Sequence, residues 1–307
     1  MLSSLGSGPT LQLEAGNALF RGMGEQDAPA KARASFILEA LTALGVKALA
    51  PGVRDLGAGT AFLKAEAARV GLPIVSANLR DSGKQPFPSS VVLNAGGLKV
   101  GVVGLSPVGP VGGVPGVEGL PIVGLARTEL KALKGKADLL VVLAAVPHGD
   151  ALELSQQLKG EADFVLQSGG DGRGFPPPEV LGAVVVNGGV RGQGLGLLEL
   201  VINGGGPWVD LSEVKRDQEL LKSLEERLKD VAGRRKAATD KAVKDQLATV
   251  EKDFTARRDE LKKKALAVGK GGRTFDLTWK MLDKTVADEP ELKAQVLVHE
   301  PSYKGQH

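Results

Sequence analysis

Residues 137–149 read ADLLVVLAAVPHG. From Leu139 to Val146 no polar side chain interrupts the run. An apolar run without polar alternation has no solvent side, so residues 138–145 predict a strand buried on both faces. His148 closes it, followed by Gly149 and Asp150, and residues 150–158 read as a helix. A histidine at the end of such a strand is a ligand, a general acid or base, or a loop residue satisfied by a backbone carbonyl.

The same alternation of strand and helix extends to both sides. Upstream, strands are expected at residues 11–15, 46–50 and 73–77, and helices at 28–44, 58–70 and 125–133. Gly45 and Gly71 stand where helices stop. Residues 91–93 and 99–105 flank Gly96-Gly97, a hairpin signal. Downstream, strands are expected at 163–167, 183–187 and 195–202. Alternating strands and helices imply an α/β fold with a largely parallel or mixed sheet under helices.

Composition breaks at Asn203-Gly204-Gly205-Gly206-Pro207. Glycine, 42 residues in all, falls almost wholly before Pro207. Residues 211–268 are rich in Lys, Glu, Asp, Arg, Ala and Leu, with Ser212 as the expected N-cap. Leu221, Leu224, Leu228 and Val231 follow a 3-4 spacing, and Leu247, Val250, Phe254 and Leu261 follow it in another phase. This predicts an antiparallel helical hairpin turning near Gly233, or one long helix with a stutter. Residues 275–298 read as one or two short helices, with Phe275, Trp279, Leu282 and Val286 on one face and Pro290 starting a new turn. The expected organisation is residues 1–206 as one α/β domain, 207–272 as a helical hairpin or coiled-coil-like region, and 273–307 as short helices and a tail.

The chain has 307 residues and no cysteine, so disulfides, zinc–thiolate sites and cysteine nucleophiles are excluded. Net charge is +3, with basic and acidic residues interleaved, and no nucleic-acid partner is expected. No run of about 18 apolar residues exists, so no transmembrane helix is expected. Residues 1–10 lack the features of a signal peptide.

Several strands end in short glycine turns that carry polar side chains. Residues 11–22, LQLEAGNALFRG, place Asn17 after a strand, where α/β folds keep their sites, although Asn after Gly is also an ordinary turn. Residues 51–59, PGVRDLGAG, place Arg54 and Asp55 on a Gly-flanked loop; taken alone they read as a solvated pair. Residues 163–171, DFVLQSGGD, end on Asp171. Residues 188–196, GGVRGQGLG, have no following helix and so are no dinucleotide fingerprint. Only His148, His299 and His307 are present, which excludes a histidine-cluster metal site.

The order of these segments, with PIVSANL at 73–79, GGLKVGVVGL at 96–105, ADLLVVLAAVPHG at 137–149 and VVVNGGVRGQGLGLLEL at 184–200, resembles the 5′-nucleotidase branch of the calcineurin-like metallophosphoesterases over residues 11–203. The resemblance implies an αββα sandwich, here followed by a helical C-terminal extension. It also implies two divalent metals bridged by an aspartate, which generate the nucleophile and polarise a phosphate ester. Residue by residue the pattern departs. The Asp-x-His strand that opens the family's domain has no counterpart in this stretch, so it is absent or lies upstream. The bridging aspartate corresponds to Asn17. The GNHE motif corresponds to Gly52-Val53-Arg54-Asp55, and the closing GHxH motif to Ser168-Gly169-Gly170-Asp171. One ligand histidine is kept as His148.

The expectation is therefore a pocket of Asn17, Arg54, Asp55, His148 and Asp171 that binds a phosphate-type anion without cleaving it. Arg54 would supply part of the missing metal charge; the plainer reading is a surface arginine. No cofactor is expected. Manganese or zinc enters only if the chain is instead a working phosphoester hydrolase, with Asn17, His148 and Asp171 as the ligands to test. A third reading makes it a structural protein acting through its C-terminal helices, and a protein partner or self-association is expected through residues 212–266. Relatives of this kind are usually exported to the periplasm or cell surface.

Overall fold

Alternation along each strand, and its absence in the central ones, decides how the layers form. In the computed structural model, which describes residues 8–24, 26–169, 174–189, 192–267, 272–283 and 285–301, the chain begins with β1 (Gln12–Glu14), α1 (Ala28–Ala43), β2 (Val46–Leu49), α2 (Gly59–Val70) and β3 (Leu79–Asp81). It continues through β4 (Ser90–Ala95), β5 (Leu98–Leu105), β6 (Gly109–Pro110), β7 (Val117–Gly119), α3 (Ile122–Leu133), β8 (Leu139–Ala144), α4 (His148–Gln157) and β9 (Phe164–Gln167). Then come β10 (Glu179–Val180), β11 (Val184–Asn187), β12 (Gly194–Ile202), β13 (Trp208–Asp210), α5 (Leu211–Ala237), α6 (Lys241–Ala267), β14 (Arg273–Met281) and α7 (Pro290–His299).

The principal sheet has the order β10-β11-β9-β8-β5-β4. Its inner strands β11, β9, β8 and β5 run parallel, while β4 and β10 pair antiparallel at the two edges. Val103, Leu105, Val142, Ala144, Val165 and Val185 point to one side and form a core with Ala126 and Leu130 of α3 and Ala151 and Leu154 of α4. Val102, Val141, Leu143, Phe164 and Val184 alternate to the other side and are buried as well. A second core joins Ala30, Ala34 and Leu38 of α1 and Leu63 and Ala67 of α2 to Val46 and Leu49 of β2. Ala48 of β2 and Ala50 just after it are fully buried as well. The principal sheet is thus buried on both faces, the parallel pair β1–β2 forms a second sheet under α1 and α2, and the architecture is a helix–sheet–sheet–helix sandwich, αββα, with a helical extension after it in sequence. Each fully buried leucine contributes about 1.5–3 kcal/mol.

Local signals act where the sequence places them. Asp27 caps α1 by accepting from Ala30 N at 2.7 Å. Gly71 ends α2 in the left-handed region, at φ 73°. Gly96 and Gly97, at φ 57° and 91°, both take the positive values that a tight β4–β5 hairpin requires. The expected strand at 73–77 is reduced to a bridge from Ile74 to Leu49, held by Leu49 N to Pro73 O and Val75 N to Leu49 O.

The chain divides into two compact units: Met1–Leu195 with Trp279–His307, and Gly196–Thr278. The composition break at 203–207 lies inside the second. In this unit β12, β14 and β13 form a three-stranded sheet, with β13 and β14 parallel. Residues 273–281, read from sequence as helical, are therefore a strand. RTFDLTWKM alternates with period two as well as carrying a 3-4 spacing, and pairing with β13 selects the strand; Phe275 is fully buried. The helix at 290–299 forms as expected.

Between β13 and β14 stands the expected hairpin, α5 and α6, each of 27 residues and about 40 Å long at 1.5 Å per residue. Its turn is not at Gly233, which lies inside α5; it falls at 238–240, where Ala238 is extended (ψ 138°) and Asp240 accepts from Val243 N. A glycine in an exposed helix interior costs only about 1 kcal/mol, too little to end a helix that other residues favour. The N-cap of α5 is Asp210, not Ser212: its carboxylate accepts from Ser212 N and Glu213 N, and from Ser212 Oγ. Within the hairpin the apolar seam is thin. Leu224 and Val231 of α5 are buried, and Leu247, Val250, Phe254 and Leu261 of α6 are half-buried. No helix of the described residues is long and apolar enough to cross a membrane.

Candidate functional site

The site begins with a turn that few residues adopt. Gly16 and Asn17 follow β1 with φ 98° and 68°. Successive residues of this kind point consecutive backbone N–H groups into one concavity, which attracts an anion. The anion is Asp55, from the loop after β2. Its Oδ2 accepts from Asn17 N at 2.5 Å and Gly52 N at 2.8 Å, and its Oδ1 accepts from Ala18 N at 2.8 Å and Leu19 N at 3.0 Å. Asp55 is fully buried, so its reading as half of a solvated pair is overturned. Two loops 38 residues apart close over it. Burial pushes its carboxyl above the ordinary value, while the four N–H donors pull the other way.

Glu14, at the end of β1, is a second carboxyl of this centre and was not singled out from the sequence. Gly16 N donates to its Oε1 at 3.0 Å. Burial, then the charge of Asp55, pushes its pKa up to about 7.

The Asn17 side chain is held in place by both of its polar atoms. Its Nδ2 donates to Ser168 Oγ at 3.1 Å and its Oδ1 accepts from Arg54 N at 3.3 Å. Ser168 Oγ in turn donates to Ala15 O at 2.7 Å. The amide lies flat on Gly52, where an added Cβ would stand 2.4 Å from Asn17 Oδ1. The structure places Asn17, the Arg54 backbone and Asp55 together, beside Glu14 and Ser168. Arg54 is exposed, and its guanidinium has no partner among the described residues.

His148 is placed differently. It does not extend β8; after Pro147 it opens α4. Its Nε2 meets Glu179 Oε1 of β10 at 2.9 Å, and its Nδ1 is buried with no hydrogen-bond partner among the described residues. Between His148 and Asn17 the strand ends carry a polar chain: Gln167 Nε2 donates to Val146 O at 2.8 Å, and Asn187 Nδ2 donates to Gln167 Oε1 at 2.5 Å. Both residues are buried and both end apolar runs, FVLQ and VVVN, which is the signal that could have found them. Asp171 lies outside the described residues.

A dinuclear centre needs a bridging carboxylate and several further oxygen or nitrogen donors. These residues do not fit one. Both oxygens of Asp55 are engaged by backbone N–H groups. Asn17 offers an amide already bonded at both ends. His148 is paired with Glu179, and no group of three or more His, Asp or Glu side chains able to hold a metal occurs among the described residues. The centre instead presents an exposed guanidinium, Arg54, beside a closed polar turn, and an imidazole–carboxylate pair at the edge of the sheet.

No family model matches the sequence. No curated protein matches it either. Solved structures do match by fold. A 5′-nucleotidase precursor from Thermus thermophilus superposes with TM-score 0.54 and 23% identity over 64% of this chain and 43% of its own. A sulfate thiohydrolase, SoxB, also from Thermus thermophilus, gives 0.52 and 18% over 62% of this chain and 35% of its own. The calcineurin-like phosphoesterase YfkN from Bacillus subtilis gives 0.51 and 21% over 62% of this chain and 71% of its own. The match spans less than half the length of the first two. The αββα sandwich, the site turns at the carboxyl ends of its strands and these superpositions agree: the chain has the fold of the 5′-nucleotidase-type, calcineurin-like metallophosphoesterases.

Proposed function

We propose that this chain is a non-catalytic protein on a metallophosphoesterase fold, serving binding or assembly rather than phosphoester hydrolysis. One observation carries the reading. Where the family resemblance places the bridging aspartate stands Asn17, whose amide is tied to Ser168 Oγ and Arg54 N. A neutral, internally satisfied amide holds no pair of divalent ions. Because Asp55 already takes up the N–H groups of the Asn17 turn, the exposed Arg54 guanidinium beside it is the group left to a phosphate-type small ligand, and residues 212–266 form the surface for a protein partner or a second copy. The direct test is to incubate the purified chain with excess manganese and zinc, desalt it and measure bound metal. Near-zero metal, with no phosphatase activity, is the expected result; about two metals per chain with metal-dependent hydrolysis would overturn the reading.

The alternative is a metal-dependent phosphoester hydrolase with an altered or incomplete site. It is favoured by the names of the similar structures, a nucleotidase, a thiohydrolase and a phosphoesterase, and by the free Nδ1 of His148. In that case manganese or zinc would be drawn to His148. A third role, a structural protein acting through α5 and α6, is favoured by their thin seam, which leaves Leu220 and Val243 exposed; partner binding that survives deletion of 211–307 would remove it. Export to the periplasm or cell surface is proposed with the first reading, because one of the similar proteins is named a precursor.

A further inference from the structure

The last helix, α7, differs from the other helices of its unit. α1 to α4 each bury three or four residues, whereas α7 buries none. Leu292, Val296 and His299, on one face at 4 and 3 residue steps, are only half-buried, while Leu297 and Val298 are exposed, Val298 by 76%. A helix of ten residues is marginal in water by itself, so docking must hold it.

The docking is concentrated in its last turn. The His299 ring stacks on Phe36 of α1, with centroids 4.8 Å apart and planes 19° apart. Glu300 pairs with Arg21, and Arg33 Nε approaches its Oε1 at 3.7 Å. His299 also walls an open cleft of about 350 Å³ whose other members include Ser35, Phe36, Glu39, Glu66 and Arg69. Arg21 stands four residues after Asn17 and two after Leu19, whose N–H donates to Asp55. One carboxylate therefore ties the C-terminal helix both to α1 and to the segment that leaves the Asn17 turn.

We propose that α7 is a releasable clasp: closed, it braces residues 17–21 through Glu300; open, it loosens that turn and bares Phe36 and the cleft beside it. The device goes beyond the proposed anion-binding reading and holds whether or not the centre around Asn17 and Arg54 binds an anion. The exposed ion pairs are individually weak and screened by salt, so opening is frequent relative to global unfolding and rises with ionic strength.

Native-state amide hydrogen exchange on the full chain tests this. In the wild type, amides of residues 293–299 are expected to exchange far faster than those of α3 and α4. Glu300→Ala is expected to speed exchange of the Asn17, Ala18 and Leu19 amides by about two- to fivefold, and 0.5 M salt to do the same in the wild type. His299→Ala, a second variant that leaves Glu300 intact, is expected to speed exchange in 293–299 by a similar factor. Val298→Thr, at the solvent-facing position and of similar helix propensity, is the control and is expected to change neither segment. The clasp is overturned if residues 293–299 exchange only at the global rate. It is equally overturned if Glu300→Ala leaves the Asn17–Leu19 amides at their wild-type rates.

Discussion

Asp55 and Glu251 are both carboxylates with nitrogen donors at hydrogen-bond distance, yet they belong to opposite kinds of structure. Asp55 has no exposed surface and accepts four backbone N–H groups from two loops. Glu251 of α6 meets Arg235 of α5 at 2.8 Å with side chains 30% and 49% exposed. The first arrangement is dry, made of main chain and closed by long-range contacts. The second is wet, made of flexible side chains and repeated along the hairpin by Lys262 with Glu225. A buried carboxylate holds its neighbours because they have no other partner; an exposed one competes with water. The sandwich unit thus holds one turn through buried main-chain bonds, whereas the hairpin unit joins its two helices partly through exposed ion pairs.

The largest effect that would test this contrast is Asp55→Ala. It leaves four buried N–H groups without an acceptor, and a loss of about 3–5 kcal/mol in urea unfolding is expected. A loss below about 1 kcal/mol would mean that water reaches the turn and the contrast fails. Next comes Leu224→Ala, which removes one of the two buried side chains of α5. A loss of about 2–3 kcal/mol is expected, confined to helical signal of the hairpin while amides of β8 and β9 keep their protection.

The third prediction uses pH. Glu14 has its pKa raised to about 7 in the folded chain by burial and by Asp55. The folded state therefore binds a proton more tightly than the unfolded state does. The stability linked to that proton is fully present below the ordinary glutamate pKa and is lost as pH rises through about 7. Glu14→Gln keeps an acceptor for Gly16 N and removes the charge. At pH 8 it is expected to be more stable than the wild type by about 1–2 kcal/mol, discounted for partial exposure, and the difference should vanish by pH 4. A parallel pair of stability curves would sink it. The smallest effect belongs to the hairpin: Glu251→Gln is expected to cost less than about 1 kcal/mol and to lose even that in high salt.

Individual residues show why some of this was legible in the sequence and some was not. The apolar run of β8, the Gly-Gly hairpin and the glycine after α2 act over a few residues, so their outcome is written locally. Asn17 was legible as a polar side chain at a strand's end for the same reason. Asp55 was misread because its burial depends on a turn 38 residues away, and no local pattern records that distance. Gln167 and Asn187 were missed although each ends an apolar run, because a polar residue at a strand's end looks the same whether it faces water or another strand's amide.

Residues 273–281 show the limit from the other side. Their spacing satisfies a helix and a strand at once, and only the parallel pairing of β14 with β13 chooses. Likewise Ser212 and Asp210 are both able caps, and the helix takes the one whose carboxylate reaches Ser212 N and Glu213 N. The sequence by itself determined the α/β alternation, the core faces, the hairpin of α5 and α6 and the strand ends that carry polar side chains, because burial periodicity and turn chemistry are local. Tertiary structure alone decided which of those polar groups meet, that Asp55 is consumed inside the fold and that Glu300 reaches Arg21. Those contacts depend on chain closure over tens to hundreds of residues, and hydrogen bonds sense only a few ångströms.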